Sequence, residues 1–381
     1  KWLYSIEADT MAEHINNRQA QFPAMTLSDT LGNMKALDMW RESIGLVYEK
    51  EKPKNMTVTV SGRPLQPGRK SCMKYGEIKG IDKKISRIIM GVDNQTTFPH
   101  LAVMLDDFVE KGGNTVDTAF IYYGGLCEIL LGEWIKTRNM RDKIMIIAKG
   151  AHTPYCTPQN MTTQLLISLE RMQTDYVDIY FLHRDNPDIP VGEFVDVLNE
   201  HKKAGRIKIF GGSNWTLERI EQANQYAKSK GLEGFSAVSN NFSLARMLKP
   251  VWPGVISSSD KKSRQWFEKN QIPLISWSSQ ARGFFTGRYS PDDKSDPAMV
   301  ECWYSPDNFK RLERAKELAK KFNVEPTAIA LAYVLCQKFP VFPIIGPRSL
   351  SEARISLKAL DIELNEQQLK WLNLEDEDNG S

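Results

Sequence analysis

Four side chains, Asp117, Tyr122, Lys149 and His183, each stand at or just beyond the end of a short apolar run. Together they could move a proton. A tyrosine hydroxyl titrates near ~10, too weak an acid to serve a carbonyl/alcohol interconversion in both directions near neutrality. A lysine ammonium close by favours the phenolate and lowers that pKa. An aspartate beside the lysine holds it charged and aimed, and a histidine orients the reacting oxygen. Tyr123 follows Tyr122 directly, so two phenols compete for the pocket, and the spacing of five residues after Asp117 favours Tyr122.

The apolar runs themselves span residues 87–92, 115–118, 144–149, 177–183, 207–212, 236–239, 274–277 and 341–345. Amphipathic stretches separate them at 98–111, 127–138, 157–173, 191–204 and 217–230, and two more, 306–321 and 326–338, precede the last run. Strands alternating with helices force parallel pairing with the helices outside the sheet. Eight such units predict an α/β fold of the (β/α)8 TIM-barrel type. A doubly wound sheet would need a Gly-rich first turn, which neither Gly124-Gly125 nor Gly211-Gly212 provides. Barrels of this kind gather their chemistry at the C-terminal strand ends. That rule selects Asp93, Asp117, Lys149, His183, Ser213, Asn214, Ser239, Asn240, Trp277 and the stretch from Gly346 to Arg348. Asp93 either lines the pocket or caps a turn.

With 381 residues, 50 basic against 47 acidic side chains and a net charge of +3, the chain suits a soluble globular protein with no general affinity for nucleic acid or membrane. Five scattered cysteines show no metal-ligand spacing. Free thiols in a reducing cytoplasm, and no metal site, are expected. Cys127, Cys156 and Cys302 lie near the rim without a neighbouring base and read as passive. His14, His100, His152 and His201 read as surface or helix residues. No apolar run approaches the ~18 to 20 residues of a membrane span.

Three segments are expected: residues 1–52, a turn-rich linker at 53–72, and the barrel at 73–381, which opens with a hairpin of 73–78 and 81–85. In the first, Leu27, Leu31, Met34, Leu37 and Ile44 form a stripe near helical spacing behind a cap at Ser28 or Asp29. The chain begins at Lys1 without an initiator methionine and reads as a fragment, and Glu375 to Asp378 reads as a frayed tail.

The motifs Asp117-Thr-Ala-Phe-Ile-Tyr122, Ile147-Ala-Lys149-Gly and Leu182-His183-Arg, in this order, resemble the aldo-keto reductase family over about residues 75–374. The resemblance implies an NAD(P)-dependent oxidoreductase with Asp117, Tyr122, Lys149 and His183 as its catalytic set. It also implies that Ser213, Asn214 and Ser239 hold the nicotinamide carboxamide and that Trp277 stacks on the ring. Ser278, Gln280, Gly283, Thr286 and Gly287, with Gly346, Arg348 and Ser349, would cradle phosphates. Glu352 and Ser356 fall on adenine-side positions. An acidic Glu352 does not help a 2′-phosphate, so NADP in preference to NAD rests on Arg348. Tyr123 departs from the family, which usually has glycine there. Residues 23–48 resemble the C-terminal tail of Gfo/Idh/MocA-type oxidoreductases, which implies such a domain upstream. A helical extension packing on the barrel explains the segment equally well.

Specificity is expected from the longest loops. Tyr123, Trp215, Phe242, Trp252, Phe284 and Trp303 are the candidate pocket residues, suited to stacking on a sugar or another small carbonyl compound. Two other functions stand beside the reductase. One is a cofactor-binding regulatory or scaffold subunit with little turnover. The other is one half of a fused sugar enzyme that oxidises and re-reduces to epimerise.

Overall fold

The computed structural model describes residues 2–377. Asp378, the last residue of the acidic tail, lies outside them. The chain divides into two compact units, with the boundary along the sequence between Met56 and Thr57.

In the second unit seven parallel strands form one sheet: β1 Ile89–Gly91, β2 Thr115–Asp117, β3 Met145–Gly150, β4 Val177–Leu182, β5 Ile207–Ser213, β6 Ala237–Ser239 and β7 Ile344–Ile345. Their spatial order is β6-β5-β4-β3-β2-β1-β7. The two edges meet through Leu274, which bridges in parallel to Val238 of β6 and to Val341 ahead of β7. Seven strands plus that segment make eight staves, and the sheet closes as a (β/α)8 barrel. The run at 274–277 makes bridges in place of a full strand for a chemical reason. Pro273, Pro340 and Pro343 stand in or beside this ladder and carry no N–H to donate.

Side-chain alternation explains how the barrel aims its polar groups. The packed interior holds Ile89, Met145, Ile147, Ile179, Phe181, Ile209, Ala237, Ile275 and Phe342. Successive side chains on a strand point to opposite faces, so every second residue continues inward. Two steps past Ile147 comes Lys149, past Phe181 His183, past Ala237 Ser239, and past Ile275 Trp277. Four steps past Ile209 comes Ser213, and four past Ile89 comes Asp93. The same parity that fills the barrel with Ile and Phe therefore delivers the polar groups to its C-terminal rim.

The other end is plugged by the hairpin, reduced to Tyr75–Gly76 paired with Ile85–Ser86. Its Ile78 and Ile85 join the core beside Ile89 and Met145, the first residues of β1 and β3. Residues 68–72, expected as linker, are bound to the barrel. The amides of Gly68, Lys70 and Cys72 donate to the carbonyls of Val109, Glu110 and Lys111 at 2.9, 2.7 and 3.2 Å. Outer helices seat on the sheet by an apolar stripe, as in Val191–Lys203, which buries Phe194, Val195 and Leu198. Each such side chain contributes roughly 1.5–3 kcal/mol when fully buried.

The first unit contains helices Leu3–His14 and Leu27–Ser43. Thr26, two residues before the nearer of the expected caps, starts the second helix. Its Oγ1 accepts from the Asp29 amide at 3.1 Å while Asp29 Oδ2 accepts from the Thr26 amide at 2.9 Å, a reciprocal capping box. None of this helix is buried, so the stripe of Leu27, Leu31, Met34 and Leu37 is exposed.

Candidate active site

Asp117 ends β2 and Lys149 stands near the end of the neighbouring β3, with Asp117 in register with Ile147. The two-residue offset lets the lysine side chain meet the carboxylate. Lys149 Nζ donates to both Asp117 oxygens at 2.5 and 2.6 Å and to the Thr118 carbonyl at 3.0 Å. Both residues are buried. Burial pushes the Asp117 carboxyl up to about 6 even against the pull of Lys149, and the Asp93 charge adds to the rise.

Tyr122 follows in the turn from β2 to the helix Leu126–Arg138. The ammonium of Lys149 lies 5.2 Å from its ring centroid. On its other side the His183 ring stands edge-on, 5.9 Å between centroids at 82°. The next three residues, Tyr123, Gly124 and Gly125, have φ of 48°, 64° and 98°. This left-handed run, easy for glycine and uncommon for tyrosine, swings Tyr123 out to 62% exposure. Of the two phenols, Tyr122 is the one brought to Lys149 and His183.

Electrostatics around the phenol differ from the sequence expectation. Burial first, then the charges of Asp117 and Asp93, drive the Tyr122 hydroxyl well above its ordinary range, and the group that lowers it is Arg184. Lys149, expected to do so, is matched by Asp117 at contact distance, so the pair presents little net charge to the ring. His183 is held well below its usual pKa by burial, then by Lys149, Arg184 and His152. It is therefore neutral, and its Nδ1 is buried without a hydrogen-bond partner.

Across the barrel the residues expected at a cofactor divide into two kinds. Ser239 Oγ and Trp277 Nε1 are buried and unpartnered. From Ser278 the backbone enters a left-handed stretch, with Ala281, Arg282 and Gly283 at φ 49°, 53° and 91°, and Gly287 at 81°. Thr286 Oγ1 turns back to the Gly283 carbonyl at 2.8 Å. Gly346 faces Asn94 and Asp93, and a Cβ there would stand 3.0 Å from Asn94 Nδ2. Arg348 is exposed beside Ser349, which caps the helix Leu350–Leu357. Orphaned donors, bent backbone and a free cation at a helix start fit a polar, anionic cofactor.

Others are already engaged within the protein. Asn214 donates to the His183 carbonyl at 3.3 Å and accepts from the Ile256 amide at 3.2 Å, and Ser213 Oγ accepts from it at 3.1 Å. Gln280 is bonded to Ser356 at 3.2 Å, and Glu352 accepts from the Arg348 amide at 2.7 Å.

Comparison with known proteins gives this rim a family. The sequence model described as "Aldo/keto reductase family" matches residues 88–373. The chain belongs to the aldo/keto reductase family. It is 27% identical over 304 residues to a norsolorinic acid reductase of Aspergillus flavus, covering 75% of this chain and 73% of that one. It is 27% identical over 298 residues to a probable aryl-alcohol dehydrogenase, AAD4, of Saccharomyces cerevisiae, covering 71% of this chain and 85% of that one. A crystal structure of the thermostable aldo-keto reductase Tm1743 with the inhibitor epalrestat shares the fold, with a TM-score of 0.61 at 22% identity over 80% of this chain and 100% of that one. As a family member with oxidoreductase relatives, the chain is an enzyme of carbonyl/alcohol oxidoreduction.

The pocket aromatics sort differently in this aldo/keto reductase from the sequence expectation. Trp252, 48% exposed, sits 5.9 Å from Trp277 and beneath the Arg282 guanidinium at 5.3 Å. Trp215, Phe242, Phe284 and Trp303 are fully buried. Trp215 packs edge-on to Phe194 and Phe235, Phe242 stacks on Tyr333, and Phe284 meets Phe285, Tyr304 and Phe309. The first three are buried by helices and loops that pack over segments exposed-looking in sequence, and Trp303 is buried at the end of the helix Pro297–Trp303. Two rim residues were not among the expected site residues: His152, expected at the surface or on a helix, and Arg184. His152 lies edge-on to His183, 4.9 Å between centroids, and three residues after Lys149 in the chain. Arg184, directly after His183, is buried against it. Position just beyond a strand end was the signal for both.

Proposed function

We propose that this enzyme interconverts an aryl aldehyde or ketone and its alcohol, with NADP as the preferred nicotinamide cofactor. The convergence of the buried Lys149–Asp117 pair, Tyr122 and His183 on one rim is the observation that carries it. The bound nicotinamide would supply or accept the hydride. Trp277, Ser239, Ser213 and Asn214 would hold its ring end, with the Ser278 to Gly287 loop and Gly346 to Ser349 at its phosphates. Arg348 is the cation for a 2′-phosphate.

The chain's own part is the proton. Tyr122 holds it at Oη and passes it to the carbonyl oxygen as that oxygen gains electrons. Asp117 fixes Lys149 in place by accepting from it through both oxygens, with the ammonium 5.2 Å from the centre of the Tyr122 ring. Neutral His183 donates a ring N–H to the same oxygen and sets its direction. The relatives' names, an aryl-alcohol dehydrogenase and a norsolorinic acid reductase, favour an aryl substrate over a sugar. Trp252 at the rim is a stacking surface for such a ring.

The test is absorbance of NADPH and NADP with a panel of aryl aldehydes, aryl alcohols and sugars. Turnover of aryl compounds above sugars, abolished in Tyr122→Phe, is expected. Silence with the whole panel, or an unimpaired Tyr122→Phe, overturns the reading.

A further inference from the structure

One charged group at the catalytic rim has no task in the chemistry above. Arg184 is 5% exposed. Its Nη1 donates to the carbonyl of His183 at 2.9 Å, while its Nε is buried with no partner. No carboxylate pairs with it among the described residues. Asp185, next in the chain, is held in a two-point contact by Arg219 at 2.9 and 3.0 Å. The groups whose titration Arg184 pulls down are Tyr122, His152, Cys156 and His183, all at the rim. Burying a cation without a counter-ion costs several kcal/mol. A protein that keeps one beside its reacting atoms has placed it for an anion that arrives.

The surroundings narrow the class of anion. Gly254, at φ +73°, lies over the arginine stem, where a Cβ would be in van der Waals contact with Cδ at 3.6 Å and Nε at 3.7 Å. The same loop carries Trp252 and is tied to Asn214 through the Ile256 amide at 3.2 Å. The loop that carries the aromatic surface of Trp252 thus also covers the buried guanidinium of Arg184, through Gly254. The groups suited to cofactor phosphates lie elsewhere, around 278–287 and 346–349. The second of these follows β7, which stands four strands from β4 in the sheet order.

We propose that Arg184 determines substrate specificity by accepting an anionic oxygen, a carboxylate or phenolate, borne on the aromatic ring of the substrate. The proposal rests on the aryl carbonyl reading and adds the charge of its substrate.

Binding to the full chain, followed by calorimetry, separates the two claims. 4-(Hydroxymethyl)benzoate should bind at least tenfold more tightly than its neutral isostere 4-(hydroxymethyl)benzamide. Arg184→Gln, with its fold checked by circular dichroism, should bring that ratio below threefold, and Arg184→Lys should restore part of it. A purely structural arginine would weaken both ligands alike and leave the ratio unmoved. A wild-type ratio below tenfold overturns the proposal, as does a folded Arg184→Gln that keeps the ratio above threefold. Should Arg184→Gln not fold, the wild-type ratio decides alone. Should the anion bind preferentially while neither 4-carboxybenzaldehyde nor benzaldehyde is turned over with NADPH, the redox reading falls and the anion subsite stands. Turnover of both aldehydes with no binding preference has the opposite meaning.

Discussion

The two arcs of the barrel rim are built on opposite principles. On the arc of β2 to β4 the charges other than Arg184 are satisfied inside the protein: Lys149 meets both oxygens of Asp117, and Tyr122 is wedged between that pair and His183. On the arc from Trp277 to Ser349 the chain leaves Ser239 Oγ and Trp277 Nε1 unpartnered, turns its backbone left-handed and exposes Arg348. The first arc is preorganised, which is what fast proton transfer needs. The second is made to be completed by something that binds. Damage to the first should therefore appear in turnover and stability, and damage to the second in cofactor affinity.

The sharpest way to break this division is at the phenols. Tyr122→Phe should lower kcat by about 10²–10⁴, the usual range for a general acid, with little change in cofactor Kd. Tyr123→Phe, on an outward side chain, should stay within about threefold. Equal losses from both would mean that the left-handed turn does not select the phenol. Next in size, Lys149→Met strands a buried carboxylate. Unfolding in denaturant should show a loss of about 3–5 kcal/mol near pH 8. The loss should shrink toward pH 5, where the stranded carboxyl can take up a proton, and Lys149→Met combined with Asp117→Asn should recover most of it. A double variant no more stable than the single one would remove the ion pair from the account.

The pair also sets the acid limb of the reaction. Asp117 is raised to about 6, above its value in the unfolded chain, so it loses its charge as pH falls through about 6. Below that point Lys149 loses its charged anchor. His183, shifted downward and neutral, does not contribute to this limb. The kcat/KM profile should thus fall roughly tenfold per pH unit below about 6. Asp117→Asn should be slower overall, with that limb flattened. A limb that survives in Asp117→Asn belongs to another group.

Much of the first arc was legible because period-two alternation is a local property of the sequence. Counting by two from Ile147 or Phe181 reaches Lys149 or His183 without knowledge of the fold. The loops beyond β5 were less so. Trp215, Phe242, Phe284 and Trp303 sit in loop-like stretches, and only the packing of distant helices and loops, such as Phe194 on Trp215 and Tyr333 on Phe242, shows that they are core. The helix Lys261–Asn270, which starts within the long loop expected over 241–263 and runs beyond it, has Phe267 as its buried residue, too little for a periodic stripe. Whether Lys149 would act on Tyr122 or on Asp117 depended on side-chain distances of a few ångströms, which spacing along the chain does not encode. The left-handed turn at Tyr123 was hidden for a related reason: a tyrosine there gives none of the warning that glycine gives.

The smallest expected effect tests the second arc alone. Arg348 is solvent-exposed, and its amide, not its guanidinium, is what Glu352 holds at 2.7 Å. Its charge is therefore available to a 2′-phosphate that NADPH has and NADH lacks. Arg348→Ala should raise the Kd for NADPH about tenfold, ~1.4 kcal/mol, while NADH shifts less than about twofold. Because the contact is exposed, the difference should narrow as salt rises from about 0.05 to 0.5 M, where the screening length falls to a few ångströms. Fluorescence titration with both cofactors would measure it, and kcat with saturating cofactor should stay near that of the parent enzyme. If both cofactors weaken together, Arg348 acts on a phosphate they share. If kcat falls instead, the two arcs are coupled, and the rim does not divide into a part that reacts and a part that binds.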